Sequence, residues 1–290
     1  MSMLDIKPFF DTNTNTVTYA VTDIASKQTA IIDPVLDFDA NSGTLSSQNA
    51  DDVIAYLDKN NFTLEWLLET HVHADHISAS NYIQSKRGGL IGISTHITKV
   101  QSTFCKLFNN CQEIDCKGEQ FDCLFDDGEV IKLGHLDIQV IHTPGHTPAC
   151  ASYKIEDAVF VGDTIFMPDF GTARTDFPSG SAKSLYHSIQ QILSLPNNTR
   201  IFVGHDYKSE TRDEYAWETT VYDEKASNIH IKQGTSEQAF INMRNARDKT
   251  LMAPRLLLPS IQINMQAGKL PTPEENGKQY LKLPLNLALS

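Results

Sequence analysis

Residues Thr70-His71-Val72-His73-Ala74-Asp75-His76 pack three imidazoles and a carboxylate directly behind the apolar run Trp66-Leu67-Leu68-Glu69. That run reads as a strand. Residues two apart on a strand project to the same side, so His71 and His73 leave its end together, with Asp75 and His76 on the turn that follows. So much polar function at a buried strand end is costly unless a metal or dense hydrogen bonding compensates it. Imidazole nitrogen and carboxylate oxygen are ligand types that suit zinc, iron and manganese. Any fold for this chain has to accommodate that cluster.

The remaining pattern supplies partners for it. Residues 16–24 alternate and are β-rich, and 29–33 form a second strand stopped by Pro34, the two reading as a hairpin across Ile24-Ala25-Ser26-Lys27. An amphipathic helix is expected over 51–60, with Val53, Ile54 and Leu57 on one face. The strand at 65–70 is followed by a helix at 77–87 that ends near Gly88-Gly89, a strand at 90–94 and a helix at 98–109. From 121 to 142 the chain reads as all β, broken by Asp126-Asp127-Gly128 and Gly134. It closes on Thr143-Pro144-Gly145-His146-Thr147, a tight turn that presents His146 at a strand end. Strands at 151–155 and 158–161 lead into Gly162-Asp163-Thr164. A helix at 183–193 precedes a strand at 200–203 that delivers Gly204-His205-Asp206-Tyr207. Thr235-Ser236-Glu237-Gln238 reads as a capping box that opens a helix over 236–251. Residues 252–290 read as irregular. The expected organisation is a catalytic domain of 1–207 with 208–290 as an extension packed on it.

Composition narrows the function. The 290 residues are 40% hydrophobic, enough for a core without disulfide or metal staples, and the net charge is −12. That balance argues against nucleic acid or an anionic membrane as partner, while a local arginine cluster still permits an anionic small molecule. The opening residues lack a basic, apolar leader, and no apolar run approaches the roughly 18 residues that span a bilayer, so a cytoplasmic setting is expected. Five cysteines (105, 111, 116, 123 and 150) include no CxxC, so free thiols are expected. The first four cluster in sequence. Their irregular spacing favours ordinary half-buried thiols over a second metal site or a redox switch. The oligomeric state is open, a homodimer included.

Four segments thus bring metal-type residues to strand ends: 71–76, His146, Asp163 and His205. In this order and with these neighbours the sequence resembles the metallo-β-lactamase superfamily over about residues 10–210. The resemblance implies an α/β fold, an αββα sandwich with the metal site at one edge between two sheets. The superfamily pattern offers two metal positions: His71, His73 and His146 at one, Asp75, His76 and His205 at the other, with Asp163 bridging. Flanking residues resemble the persulfide dioxygenases: Glu69 to Ser78, Phe166-Met167, Gly171 to Phe177 and Gly204 to Tyr207. Asn242 to Asp248 and Pro254 to Asn264 resemble the bacterial branch of that family. This second resemblance implies one Fe(II) held by His71, His146 and Asp163, and oxidation of glutathione persulfide by O₂ to sulfite and glutathione. His73, Asp75, His76 and His205 then stand around the ligands. The alternative it leaves is a glyoxalase II-like hydrolase of glutathione thioesters with two Zn(II). A sensor without turnover is disfavoured, because none of the seven positions is degenerate.

Around the metal, Arg174 is a candidate for a substrate carboxylate or for an ion pair with Asp176, and Tyr207 for a hydrogen bond to the reacting group. Arg244 and Arg247, three apart, would share a helix face toward glutathione. His96, His135, His142, His187 and His230 lack comparable clustering and read as structural or exposed.

Overall fold

In chain order the computed structural model, which describes residues 3–286, contains strands β1 (Leu4–Asp11), β2 (Thr16–Asp23), β3 (Gln28–Ile32), β4 (Val35–Asp39) and β5 (Thr44–Ser46), then helix α1 (Gln48–Asn60). Next come β6 (Thr63–Leu68), β7 (Ile77–Ser78), α2 (Ser80–Arg87), β8 (Leu90–Ser94), α3 (Ile97–Leu107) and β9 (Cys123–Phe125). The second half runs β10 (Val130–Leu133), β11 (Leu136–His142), β12 (Ala151–Ile155), β13 (Ala158–Phe160), α4 (Ala182–Leu193) and β14 (Arg200–Phe202). It ends with β15 (Glu218–Thr220), α5 (Val221–Ser227), α6 (Glu237–Asp248) and α7 (Leu257–Asn264).

Two six-stranded sheets form, in the orders β1-β2-β3-β6-β8-β9 and β10-β11-β12-β13-β14-β15. Their facing sides meet in a core of Val17, Tyr19, Val21, Leu68, Phe125, Ile138, Val140, Tyr153 and Phe160. The outer side of the first sheet packs on α1, α2 and α3 through Val53, Leu57, Ile83, Val100 and Phe104. The outer side of the second packs on α4 and α6 through Leu185, Ile189, Ile192 and Phe240. The result is the expected αββα sandwich. Each β-strand in it is buried on two faces or one according to its place, and β2, although its sequence alternates with threonines, is buried at every position.

Several boundaries differ from the sequence expectation. The turn after His76 first forms the short strand β7, paired with β4, and the helix begins only at Ser80. Residues 121–142 do not form one β unit. β9 joins the first sheet beside β8, while β10 and β11 open the second. The 236–251 helix is shorter, its cap being the Ser236 hydroxyl that accepts from the Ala239 amide. The stretch after 251 is not irregular throughout, since α7 packs Leu257, Ile261 and Ile263 into the core of the first sheet. β15 adds a strand to the second sheet next to β14, so residues beyond 207 are built into the sandwich. The free-thiol expectation fails at two positions: Cys105 and Cys111 form a disulfide across the end of α3, leaving Cys116, Cys123 and Cys150 as thiols. Among the described residues no helix is long and apolar enough to cross a membrane.

Candidate metal centre

Every candidate ligand sits just past the end of a strand. His71 to His76 follow β6, His146 lies in the loop after β11, Asp163 follows β13 and His205 follows β14. β6 runs parallel to β3 and β8, and β13 parallel to β14, so these ends emerge on the same edge of the two sheets. The turn at His146 depends on Gly145. A Cβ there would lie 2.4 Å from the Leu185 Cα of α4, so only glycine lets the loop reach the edge.

His71 Nε2, His146 Nε2 and Asp163 form a group of donors whose atoms all lie within 4.8 Å of one another. The Asp163 Oδ2 oxygen is 4.0 Å from His71 Nε2 and 3.8 Å from His146 Nε2. All three residues are buried, and His71 Nε2 and Asp163 Oδ1 have no hydrogen-bond partner. Buried polar atoms are rarely left unsatisfied, so the orphaned His71 Nε2, facing Asp163 Oδ2 and His146 across this group, marks a site built for an ion, while Asp163 Oδ1 faces the second arc. Each imidazole is oriented from behind. His146 Nδ1 bonds the Arg174 carbonyl at 2.8 Å, and His71 Nδ1 bonds the Thr70 hydroxyl at 3.0 Å. Both therefore aim Nε2 inward, the usual way outer hydrogen bonds fix a ligand tautomer. Burial, reinforced by His73 and His146, holds the His71 imidazole well below its ordinary value and hence neutral, as a ligand must be.

The other four residues form a second arc. Asp75 Oδ2 lies 3.0 Å from His76 Nδ1, 3.4 Å from His205 Nε2 and 3.2 Å from the Thr16 hydroxyl. His205 Nε2 is also 3.3 Å from Asp163 Oδ1, so Asp163 touches both arcs. His73 turns its Nε2 away, to Asp33 at 3.0 Å and Glu69 at 3.3 Å. Burial disfavours the imidazolium of His73, but these two carboxylates outweigh it and raise its pKa well above the ordinary value. His73 Nδ1 and His76 Nε2 are buried without partners.

Asp33 and Glu69 stand outside the site residues that the sequence pattern points to. Asp33 accepts from the Thr70 amide at 2.7 Å and the Thr70 hydroxyl at 2.8 Å, tying the end of β3 to the start of the histidine loop. Glu69 accepts from the Ser78 and Ser80 hydroxyls at the far end of the same loop. A carboxylate directly after a β-rich apolar run was the available signal for Asp33.

A cavity of about 350 Å³ opens over the centre. Its walls include Asp75, His146, Asp163, Phe166, Phe170, Tyr207, Leu251 and Pro254. Four of the chain's seven arginines also line it: Arg174, Arg244, Arg247 and Arg255. They are not equivalent. Arg174 makes a bidentate pair with Asp176, both contacts 2.6 Å, and donates to the Met252 carbonyl at 2.7 Å. Arg244 is 1% exposed and spends its guanidinium on Asp248 and the Thr172 carbonyl. The shared substrate face expected for Arg244 and Arg247 is therefore divided, because Arg244 is a buried structural cation. Arg247 and Arg255 make no side-chain hydrogen bond or ion pair among the described residues. Tyr207 stacks between His205 and Phe170, with centroids 5.6 and 5.1 Å away. Although 43% of its surface is exposed, packing of its phenol end, with Asp75 and Asp163 nearby, keeps the hydroxyl protonated and able to donate.

Cys150 does not belong to this chemistry. Its sulfur accepts from the Thr147 amide at 3.3 Å, and burial pushes the thiol up to about 12. The remaining histidines have structural or peripheral contacts. His142 bonds Ser94 and the Phe125 carbonyl, His230 braces Thr172, His135 pairs with Asp23 and His187 with Glu237, and His96 lies against the His142 ring.

The metallo-β-lactamase superfamily model matches residues 11–205. A probable metallo-hydrolase of Burkholderia pseudomallei is 49% identical over 98% of this chain and 99% of its own length. Glyoxylase B2 of Dictyostelium discoideum is 48% identical over 92% of this chain and 91% of its own. The mitochondrial persulfide dioxygenase ETHE1 of Bos taurus is 28% identical over 91% and 88%. The crystal structure of ETHE1 from Myxococcus xanthus superposes with a TM-score of 0.73 at 28% identity, covering 91% of this chain and all of that one.

Proposed function

The chain belongs to the metallo-β-lactamase superfamily as a metal-dependent enzyme, and from that premise we propose that it is a mononuclear Fe(II) persulfide dioxygenase. One observation carries the reading. His71, His146 and Asp163 converge as two imidazoles and one carboxylate, while His73 directs its Nε2 to Asp33 and Glu69. Two histidines and a carboxylate would hold an iron, and iron there would supply the redox chemistry that zinc lacks. The reaction is glutathione persulfide plus O₂ plus water, giving glutathione, sulfite and two protons. The terminal sulfur is oxidised and O₂ is reduced.

The protein's own groups position the substrate. Phe166, Phe170, Leu251 and Pro254 give the cavity an apolar wall. The Tyr207 hydroxyl donates a hydrogen bond toward the terminal sulfur. Arg174, neutralised by Asp176, acts through its backbone by fixing His146. Arg247 and Arg255, the uncommitted guanidiniums, receive the glutathione carboxylates, and Arg244 underlies that wall. Asp75, His76 and His205 hold one another and Asp163.

A second reading is a binuclear zinc hydrolase of glutathione thioesters. The unpartnered His73 Nδ1 and His76 Nε2 favour it, as do the relatives at 48 and 49% identity that carry hydrolase and glyoxylase names. The two readings separate in one assay pair. Persulfide-dependent O₂ uptake without S-lactoylglutathione hydrolysis supports the dioxygenase, and the reverse pattern overturns it.

A further inference from the structure

The structure assigns Asn264, the last residue of α7, the role of positioning the metal-binding loop. The inference rests on the metal centre described above but not on which reaction it performs. Asn264 is buried, and its carboxamide closes three backbone groups of a loop nearly 190 residues earlier in the chain. Nδ2 donates to the His73 carbonyl at 2.9 Å and to the His76 carbonyl at 2.8 Å, and Oδ1 accepts from the Ser78 amide at 2.8 Å. The loop from His73 to Ser78 does not close these groups itself, because its side chains are engaged elsewhere: His73 with Asp33 and Glu69, Asp75 with His76, Ile77 with the core and Ser78 with Glu69. A carboxamide offers two donors and an acceptor on one short planar group, which is what the three loop groups require.

A separate observation points to the same docking. Gly268 lies just beyond α7 with φ +78°, and a Cβ there would stand 2.7 Å from the Ser78 carbonyl oxygen. The segment is thus shaped to approach the loop more closely than any side chain allows. It is also held firmly in place. Ile261, Ile263, Met265 and Ala267 are buried in the core, and Gln101 donates to the Met265 carbonyl at 2.9 Å. The C-terminal segment is therefore a rigid abutment that sets the positions of His73, Asp75 and His76 relative to His71. Losing a hydrogen bond to a ligand itself typically weakens a metal site about 10–100-fold, and these bonds, which act through the loop that carries His71, are expected at the lower end of that range.

The test uses the full chain, stripped of metal and titrated with Fe(II) without oxygen, and separately with Zn(II), against a competing chelator. Asn264→Ala is compared with Gln262→Ala. Gln262 lies on the same helix and makes a matching set of three backbone hydrogen bonds, but to Leu258 and Lys282, away from the loop. The expected result is a roughly tenfold loss of metal affinity in Asn264→Ala, a smaller rise in melting temperature on metal addition, and neither change in Gln262→Ala. Asn264→Asp keeps the acceptor for Ser78 but lacks the amide donors. It is expected to move the same way and serves if Asn264→Ala does not fold. Equal metal affinity in wild type and both Asn264 variants, with only a general loss of melting temperature, would overturn the assignment. A wild type that binds neither metal would remove the centre itself. Loss of affinity without any persulfide-dependent O₂ uptake would remove the dioxygenase reading and leave Asn264 in place.

Discussion

Replacing Arg244 should damage the fold far more than the substrate site. Its guanidinium is 1% exposed and donates to Asp248 from Nε at 2.9 Å, with Nη2 2.7 Å from the same carboxylate oxygen. Asp248 is itself buried and also accepts from the Thr175 amide and hydroxyl, both at 2.9 Å. Arg244→Met would leave that carboxylate with two donors and no cation. Breaking a buried pair from one side costs about 3–5 kcal/mol, because a desolvated charge remains. The magnitude can be separated from packing by a second change. Asn at 248 keeps an acceptor for Thr175 but carries no charge, so Arg244→Met with Asp248→Asn should regain a large part of what Arg244→Met loses. Equilibrium urea unfolding of the single and double variants measures both terms. A loss below about 1 kcal/mol, the range of a solvent-screened pair, would refute the reasoning. So would a double variant no more stable than the single one.

Other expectations follow from the same geometry. Arg247→Ala and Arg255→Ala should raise the KM for glutathione persulfide while changing stability by no more than about 0.5 kcal/mol, since both side chains are uncommitted; an unchanged KM in both counts against carboxylate binding there. In native protein at pH 8, iodoacetamide should label Cys116 and Cys123 but spare Cys150, whose buried thiol is pushed up to about 12; peptide mass mapping reads this out, and labelling at Cys150 contradicts it. Glu224 is fully buried on α5, and burial raises its carboxyl to about 8 despite the hydrogen bond from Asn228. Its folded pKa lies above its unfolded value, so the stability it contributes when protonated is lost as pH rises from about 4.5 toward 8. Glu224→Gln should therefore gain on wild type across that window, by up to a few kcal/mol at its upper end. A pH-independent difference would contradict the burial argument.

The metal-facing half of the molecule was legible because its chemistry is local. Histidines two apart after an apolar run, a Pro-Gly turn before His146 and carboxylate or imidazole after short strands each announce a strand end. The sequence does not state which nitrogen each imidazole uses, and that depends on Asp33, Glu69 and the Arg174 carbonyl, which come from distant segments. α7 was hidden by Pro259. A proline normally breaks a helix, but this one occupies the first turn, where the missing amide has no intrahelical partner to lose. β1 gives no clear strand signal in the sequence because it is a half-buried edge strand containing Pro8, with little alternation. The sequence pattern puts Arg244 on a glutathione-binding helix face with Arg247, although Asp248 four residues on is the hint of a buried pair. The Cys105–Cys111 disulfide follows from the turn that ends α3, which brings the two Cα atoms to 4.7 Å, and a six-residue spacing alone carries no such signal.

The central claim is that one iron, held by His71, His146 and Asp163, suffices for turnover. Metal-free protein reconstituted stepwise with Fe(II) under anaerobic conditions, then assayed for O₂ uptake on glutathione persulfide, tests it directly. The account predicts that activity rises linearly and levels off at one iron per chain. A plateau at two metals per chain, or no O₂ uptake with iron and thioester hydrolysis with two zinc ions, would contradict it.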